Sequence, residues 1–185
     1  MKTLLIAGHP DLSQSIVNAA ILDELARAFP AMTIRRLCEV APGGVFDVPA
    51  EQAELAEADL IVWQFPFHWY ALPWLMKKWL DEVFVHGFAH GPRAKLAGKK
   101  LLVSFTTGAP AAAYTGQEGS VADIRELISG FPAIAKVCGL DYLEPMWVNG
   151  VSYAARDDAE AVARQQALAR DYAARLIDRI REIQG

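Results

Sequence analysis

Positive charge is scarce in this chain. Its 18 Lys and Arg are outnumbered by 22 Asp and Glu, which leaves a net charge of −4 and a pI near 5.6. The basic residues do not cluster, and contacts to nucleic acid or to an anionic membrane surface need them clustered. Neither partner is expected. Cysteine is nearly absent: Cys38 and Cys138 lie in separate apolar contexts without CxxC spacing, so small core residues are expected rather than a disulfide, a redox pair or a metal site. No apolar run could span a bilayer, and the one after Lys2 is too short for the core of a signal peptide. A soluble, cytoplasmic protein is the expectation. Also missing are a Pro/Gly/Ser-rich linker and an internal repeat, so residues 1–185 are read as one domain. Neither GxGxxG nor GxxxxGK(S/T) occurs, which excludes a dinucleotide fingerprint and a Walker loop.

What the chain does have is alternation. Residues 3–7 (TLLIA), 32–37 (MTIRRL), 59–63 (DLIVW), 100–106 (KLLVSFT) and 142–148 (YLEPMWV) read as strands, the last with Pro145 marking an edge or bulge. Helical patterns separate them. Val17, Ile21, Leu25 and Phe29 recur every four residues before Pro30, and residues 51–57 form a short helix. Leu72, Leu75, Met76, Trp79, Leu80, Val83 and Phe84 follow at offsets of three and four, with Pro73 in the first turn. Residues 121–128 are a helix, Pro132 restarts a shorter one that Gly139 closes, and a long helix runs from about Asp158. Its face of Ala169, Tyr172, Ala173, Leu176, Ile180 and Ile183 would cover one side of a sheet. Parallel neighbours need such crossovers, so the expected fold is α/β: a flavodoxin-like, doubly wound, five-stranded parallel sheet of order 2-1-3-4-5.

Ligands of an open parallel sheet bind beyond the carboxyl ends of its strands, and three loops fall there. In residues 8–15 (GHPDLSQS), Ser15 is an N-cap, and the first-turn amides of Ile16, Val17 and Asn18 point back at the loop. Such a turn suits an anion, here a mononucleotide phosphate, with His9 as an added donor; an ordinary capped helix with a structural histidine is the alternative. After residue 65 the strand breaks at Pro66, and Phe67, His68, Trp69 and Tyr70 follow with no period to hide them. They suit a flat, conjugated ligand, or else cap the core or face a partner chain. The third loop, Thr106, Thr107, Gly108 and Ala109, is small enough for amides to approach a ligand closely. Tyr114 stands alone beyond it, at a rim position. His86 and His90 are four apart, but Gly87 and Gly91 oppose a helix and no acidic third ligand is near, so no metal is expected. A phosphate plus a flat heteroaromatic with polar edges describes FMN.

The segments GHP with SIVN (Gly8 to Asn18), WQFPFHWYALPWLMKKWLDEVF (Trp63 to Phe84), HGFAHG (His86 to Gly91) and TTG (Thr106 to Gly108) resemble the NAD(P)H quinone reductase family. That family includes DT-diaphorase and the small bacterial flavoproteins ancillary to glutathione-regulated potassium efflux. The resemblance covers nearly the whole chain and implies a homodimer that holds FMN, or alternatively FAD, and passes hydride from NAD(P)H to a quinone. Carried over, His9, Ser15, Ile16, Val17 and Asn18 match the phosphate turn, and Pro66, Phe67, His68, Trp69 and Tyr70 match the segment along the ribityl chain and rings. Thr106, Thr107, Gly108 and Ala109 match the loop at the other ring edge, with the amides of Thr107 and Gly108 as donors to charge on the reduced flavin. Tyr114 matches a tyrosine on the substrate side, where it would donate to a quinone oxygen. Six residues later the best-known members carry a histidine that helps move protons; Ser120 stands there in this chain. Dimerisation is expected near Trp79, Phe84 and Phe88, which a monomer would leave partly bare. A flavin-bound regulatory subunit that docks on a potassium-efflux transporter is the alternative function.

Overall fold

Strand lanes come first, because they fix where the loops gather. In the computed structural model, which describes residues 1–151 and 156–185, the lanes are β1 (Thr3–Ala7), β2 (Thr33–Arg36), β3 (Leu60–Pro66), β4 (Lys100–Thr106) and a fifth lane in two pieces, β5 (Asp141–Tyr142) and β6 (Met146–Val148). All pair in parallel in the order β2-β1-β3-β4-β5, and β6 pairs with β4 above β5, as expected for a flavodoxin-like sheet. The crossovers are α1 (Ile16–Ala28), α2 (Leu37–Val40), α3 (Val48–Glu57), α4 (Trp74–Val83), α5 (Ile124–Leu127) and α6 (Gly130–Cys138), and α7 (Ala159–Gln184) closes the chain.

Successive strand side chains point to opposite faces, so each strand feeds two cores. Leu4, Ile6, Ile61, Trp63, Phe65, Leu101, Val103 and Phe105 pack on one side, with Leu75, Met76 and Trp79 of α4 and Phe131 of α6. Leu5, Ala7, Leu60, Val62 and Leu102 pack on the other, with Val17, Ile21 and Leu25 of α1 and with α7. The expected face of α7 is buried at every position: Ala169, Tyr172, Ala173, Leu176, Ile180 and Ile183.

Several boundaries differ from expectation, each for a local reason. Strand β3 continues through Pro66, opposite Thr106, instead of breaking before it. The Gln64 carbonyl points to β1, where it accepts from Gly8 N, so Pro66 faces the same way but lies past the end of β1. Its missing N–H therefore costs no ladder bond. Strand β2 stops at Arg36 because Leu37 starts a single helical turn with its side chain in the core. Asp47 caps α3 by accepting from Ala50 N, which starts that helix at Val48. Val121 is exposed, and the helix expected from there is only the turn of α5, capped by Asp123. Gly139 ends α6 in the left-handed conformation, as its position implied (φ 67°).

Candidate functional site

The polar end of the α1/α7 side of the sheet opens into a cleft at the carboxyl ends of β1, β3 and β4. It is lined by His9, Gln14, Ser15, Ile16, Val17, Asn18, Pro66, Phe67, His68, Thr106, Gly108, Val151, Arg156 and Gln165. Ten of the fifteen residues singled out from sequence are therefore together: His9, the four of the helical turn, Pro66, Phe67, His68, Thr106 and Gly108.

Ser15 caps α1 as expected. Its Oγ accepts from Asn18 N at 3.1 Å and from Asn18 Nδ2 at 3.2 Å. With both lone pairs occupied, the hydroxyl hydrogen is left to donate. The preceding turn is shaped by Asp11, whose carboxylate accepts from the amide and hydroxyl of Ser13. His9 is buried, and its Nδ1 accepts from Asp11 N at 3.1 Å, which puts the ring hydrogen on Nε2. Burial lowers the His9 pKa to about 4, and the neighbouring His68 and Arg156 push the same way against the opposing pull of Asp11. Burial also lowers the pKa of His68. Both rings are neutral at pH 7 for that reason. The positive charge at this end comes from Arg156, whose guanidinium donates to the carbonyl and side-chain oxygens of Gln14.

Pro66, Phe67 and His68 form the second wall, with Phe67 N donating to Thr106 O at 2.7 Å. Beyond them the chain reverses in a tight turn. Trp69 and Tyr70 both have positive φ, 48° and 65°, and Ala71 N returns to His68 O at 3.0 Å. That is a type I′ turn, usually left to Asn and Gly because other side chains crowd the backbone there. It throws Trp69 outward, 91% exposed, and Tyr70 partly so; neither ring lines the cleft.

In the third loop, Thr106 and Gly108 line the cleft while Thr107 and Ala109 do not. Thr107 is buried, its N–H donates to Val148 O, and its hydroxyl donates within a cluster containing Ala109 O and Asn149 Oδ1. Its amide is therefore unavailable to a ligand, and Gly108 is the remaining backbone donor of the expected pair. Tyr114 ends a short 3-10 turn (Ala111–Tyr114), half-buried against the α4 side of the core and outside the cleft lining. Gln14, Val151, Arg156 and Gln165 were not anticipated. The first lies within the loop already singled out, residues 8–15, whereas the others come from the segment after β6 and from α7, with no local pattern to flag them.

Chemically, this is an anion seat joined to a slot for a flat body. The seat has a hydroxyl donor, the positive end of α1 and one guanidinium; the slot has an aromatic wall and a glycine loop. That donor set fits a phosphate ester carrying a planar group.

The fold defines a flavodoxin-like protein, with a cleft at the carboxyl edge of its sheet. The family model described as flavodoxin-like fold matches residues 1–173, and the chain belongs to that family. The glutathione-regulated potassium-efflux system ancillary protein KefF of Enterobacter sp. (strain 638) is 37% identical over 176 residues, 95% of either chain. The crystal structure of general stress protein 14 from Treponema denticola in complex with FMN has a TM-score of 0.82 at 35% identity, covering 96% of this chain and 98% of that one. The NADPH-quinone reductase of P. pentosaceus has a TM-score of 0.74 at 30% identity, covering 94% and 98%. The resemblance read from the motifs is borne out at the level of family.

Proposed function

We propose that the chain binds FMN in this cleft and works as an NAD(P)H oxidoreductase that reduces a quinone-like acceptor. The observation that carries the reading is the joining of two unlike surfaces in one cleft: the α1 seat with its Ser15 donor, and the wall of Phe67 and His68 facing Gly108. When bound, the flavin supplies two-electron transfer from NAD(P)H to a quinone, giving NAD(P)⁺ and a hydroquinone with uptake of one proton.

The chain's own residues bind and orient. Ser15, the amides of Ile16 and Val17, and the charge of Arg156 hold the phosphate; His9, neutral, donates from Nε2. Pro66, Phe67 and His68 fix the plane of the rings, so that nicotinamide and acceptor meet the same face in turn. The amide of Gly108 donates where charge develops at the ring edge. In this reading Trp69 and Tyr70 cover the acceptor side, and Tyr114 donates to the acceptor's oxygen. FMN is favoured over FAD by the similarity to general stress protein 14 of Treponema denticola, whose crystal structure is a complex with FMN. Reconstituted with FMN, the purified protein should oxidise NADH or NADPH at a rate set by added quinone. NAD(P)H consumption indifferent to quinone would overturn the acceptor assignment.

A second reading has a specific support, the 37% identity to a potassium-efflux ancillary protein. In that reading the flavoprotein docks on a transporter, and co-purification with a potassium-efflux system tests it. Two copies of the chain are also expected to pair. Of the three residues expected near the pairing surface, Trp79 is fully buried, whereas Phe84 and Phe88 are half-buried against the core. Among the exposed apolar residues are Val45 (78%) and Trp74 (59%), the latter lying against Gly44. Sedimentation at micromolar concentration checks the pairing.

A further inference from the structure

Polar side chains are few in the interior on the α1/α7 side of the sheet, and five of them join in one line. Tyr172, Ser104, Gln64, Asn18 and Thr106 are each no more than 2% exposed. Tyr172 OH and Ser104 Oγ lie 2.7 Å apart, and Ser104 Oγ donates to Gln64 Oε1. Gln64 Nε2 donates to Asn18 Oδ1 at 3.1 Å. Asn18 Nδ2 then donates to Thr106 Oγ1 and to Ser15 Oγ, each at 3.2 Å. The line starts on α7, crosses β4 and β3 side by side at the Gln64–Ser104 register pair, and ends in the cleft at the head of α1.

Such a line has two self-consistent directions, because a side-chain amide can turn over and a hydroxyl can rotate. In the observed direction every group donates toward the cleft. Ser15 and Thr106 accept from within and keep their own hydrogens for a ligand. In the reverse direction both would donate into Asn18 and turn lone pairs on the cleft, which an anion would not tolerate. The middle of the line is satisfied either way. Its buried end is not. Ser104 has one hydrogen and gives it to Gln64, so Tyr172 must donate to Ser104. Among the described residues Ser104 is the only hydrogen-bond partner of the Tyr172 hydroxyl. Reversal would strand one of the two hydroxyl hydrogens in the core, that of Ser104 or that of Tyr172, and a buried donor left unpaired costs more than a typical bond contributes. Burial also pushes the phenol's pKa up, so the hydrogen stays in place.

We infer that Ser104 is a positioning residue for the anion seat: from the buried end of the line its hydroxyl, in contact with Tyr172, sets the direction of the hydrogen bonds that make Ser15 and Thr106 donors. This rests on the proposed phosphate site and deepens it. A role limited to packing would not distinguish a phosphorylated ligand from its unphosphorylated parent. A directional role must.

The test compares FMN with riboflavin, which lacks the phosphate, as ligands of the full chain by flavin fluorescence quenching. Ser104→Ala removes the hydroxyl that gives the line its direction; Gln64→Leu cuts the next link and serves if the first variant folds poorly. The expected result is a fall of about tenfold in the preference for FMN over riboflavin, with riboflavin affinity unchanged. An unchanged preference in a folded variant overturns the inference and leaves the phosphate seat intact. A wild-type protein that binds FMN no better than riboflavin overturns the seat itself and the inference with it.

Discussion

His9 and His68 meet edge to face across the cleft, ring centroids 6.2 Å apart and planes at 73°. Neither can take a proton cheaply. Two cations at that distance repel, and burial adds to the cost at His9.

Acid sensitivity follows from that pair. The folded pKa of His9 is about 4, below the ordinary 6.5. A depressed pKa means that the neutral form is favoured by folding, so its contribution is whole above about pH 6.5 and is lost as pH falls toward 4. The loss is roughly 3 kcal/mol across that window. Urea midpoints at pH 7 and pH 4.5 should show it, and His9→Gln should show less. A bound phosphate would favour the protonated ring, so saturating FMN should shrink the acid loss.

Cap and ligand can be separated at Ser15. Its Oγ caps α1 through Asn18 N, and aspartate caps equally well. Ser15→Asp should therefore keep thermal stability within about 0.5 kcal/mol, whereas Ser15→Ala should cost about 1 kcal/mol. Only the aspartate places an anion against the phosphate, so it should abolish FMN binding. Calorimetric titration alongside thermal melts reads both effects.

Gly8 is required by contact rather than by conformation. A Cβ there would lie 2.3 Å from Met76 Sδ and 2.9 Å from Met76 Cβ, where the end of β1 touches α4. Gly8→Ala should destabilise by about 1–3 kcal/mol through overpacking. Combined with Met76→Ala the two costs should add to less than their sum, which denaturant titration of the four proteins will show.

The strained turn after β3 predicts a trade between stability and function. Trp69 has φ 48° and almost no packing to lose. Trp69→Gly should relieve the left-handed strain and leave stability unchanged or raised by up to about 1 kcal/mol. Turnover or flavin retention should fall. A variant with gained stability and full activity would mean that the ring has no part in the site.

Much of the fold was legible because each strand is a short apolar run bounded by loop residues. β1 and β4 have the expected limits, and the burial of α7 follows its periodicity. Ambiguity arose where one residue satisfies two patterns. Leu37 is apolar in both the strand and the helical turn that follows, and Pro66 reads as a breaker unless the end of β1 is known. In the site, residues contributed by consecutive loop segments were found. Arg156 and Gln165 reach the cleft only through the packing of the last helix, and Gln64 and Ser104 show as a polar pair only once β3 and β4 are in register. Trp69 drew attention as an unhidden ring, but its direction depends on a backbone conformation that its side chain disfavours.

The central claim is a single flavin held by its phosphate at the head of α1 with its rings beside Phe67, His68 and Gly108. Titrating the flavin-free protein with FMN while following flavin absorbance and fluorescence tests it most directly. The account predicts saturation at one FMN per chain, with affinity lost in Ser15→Asp. Binding that fails to saturate, or that persists undiminished in that variant, would contradict it.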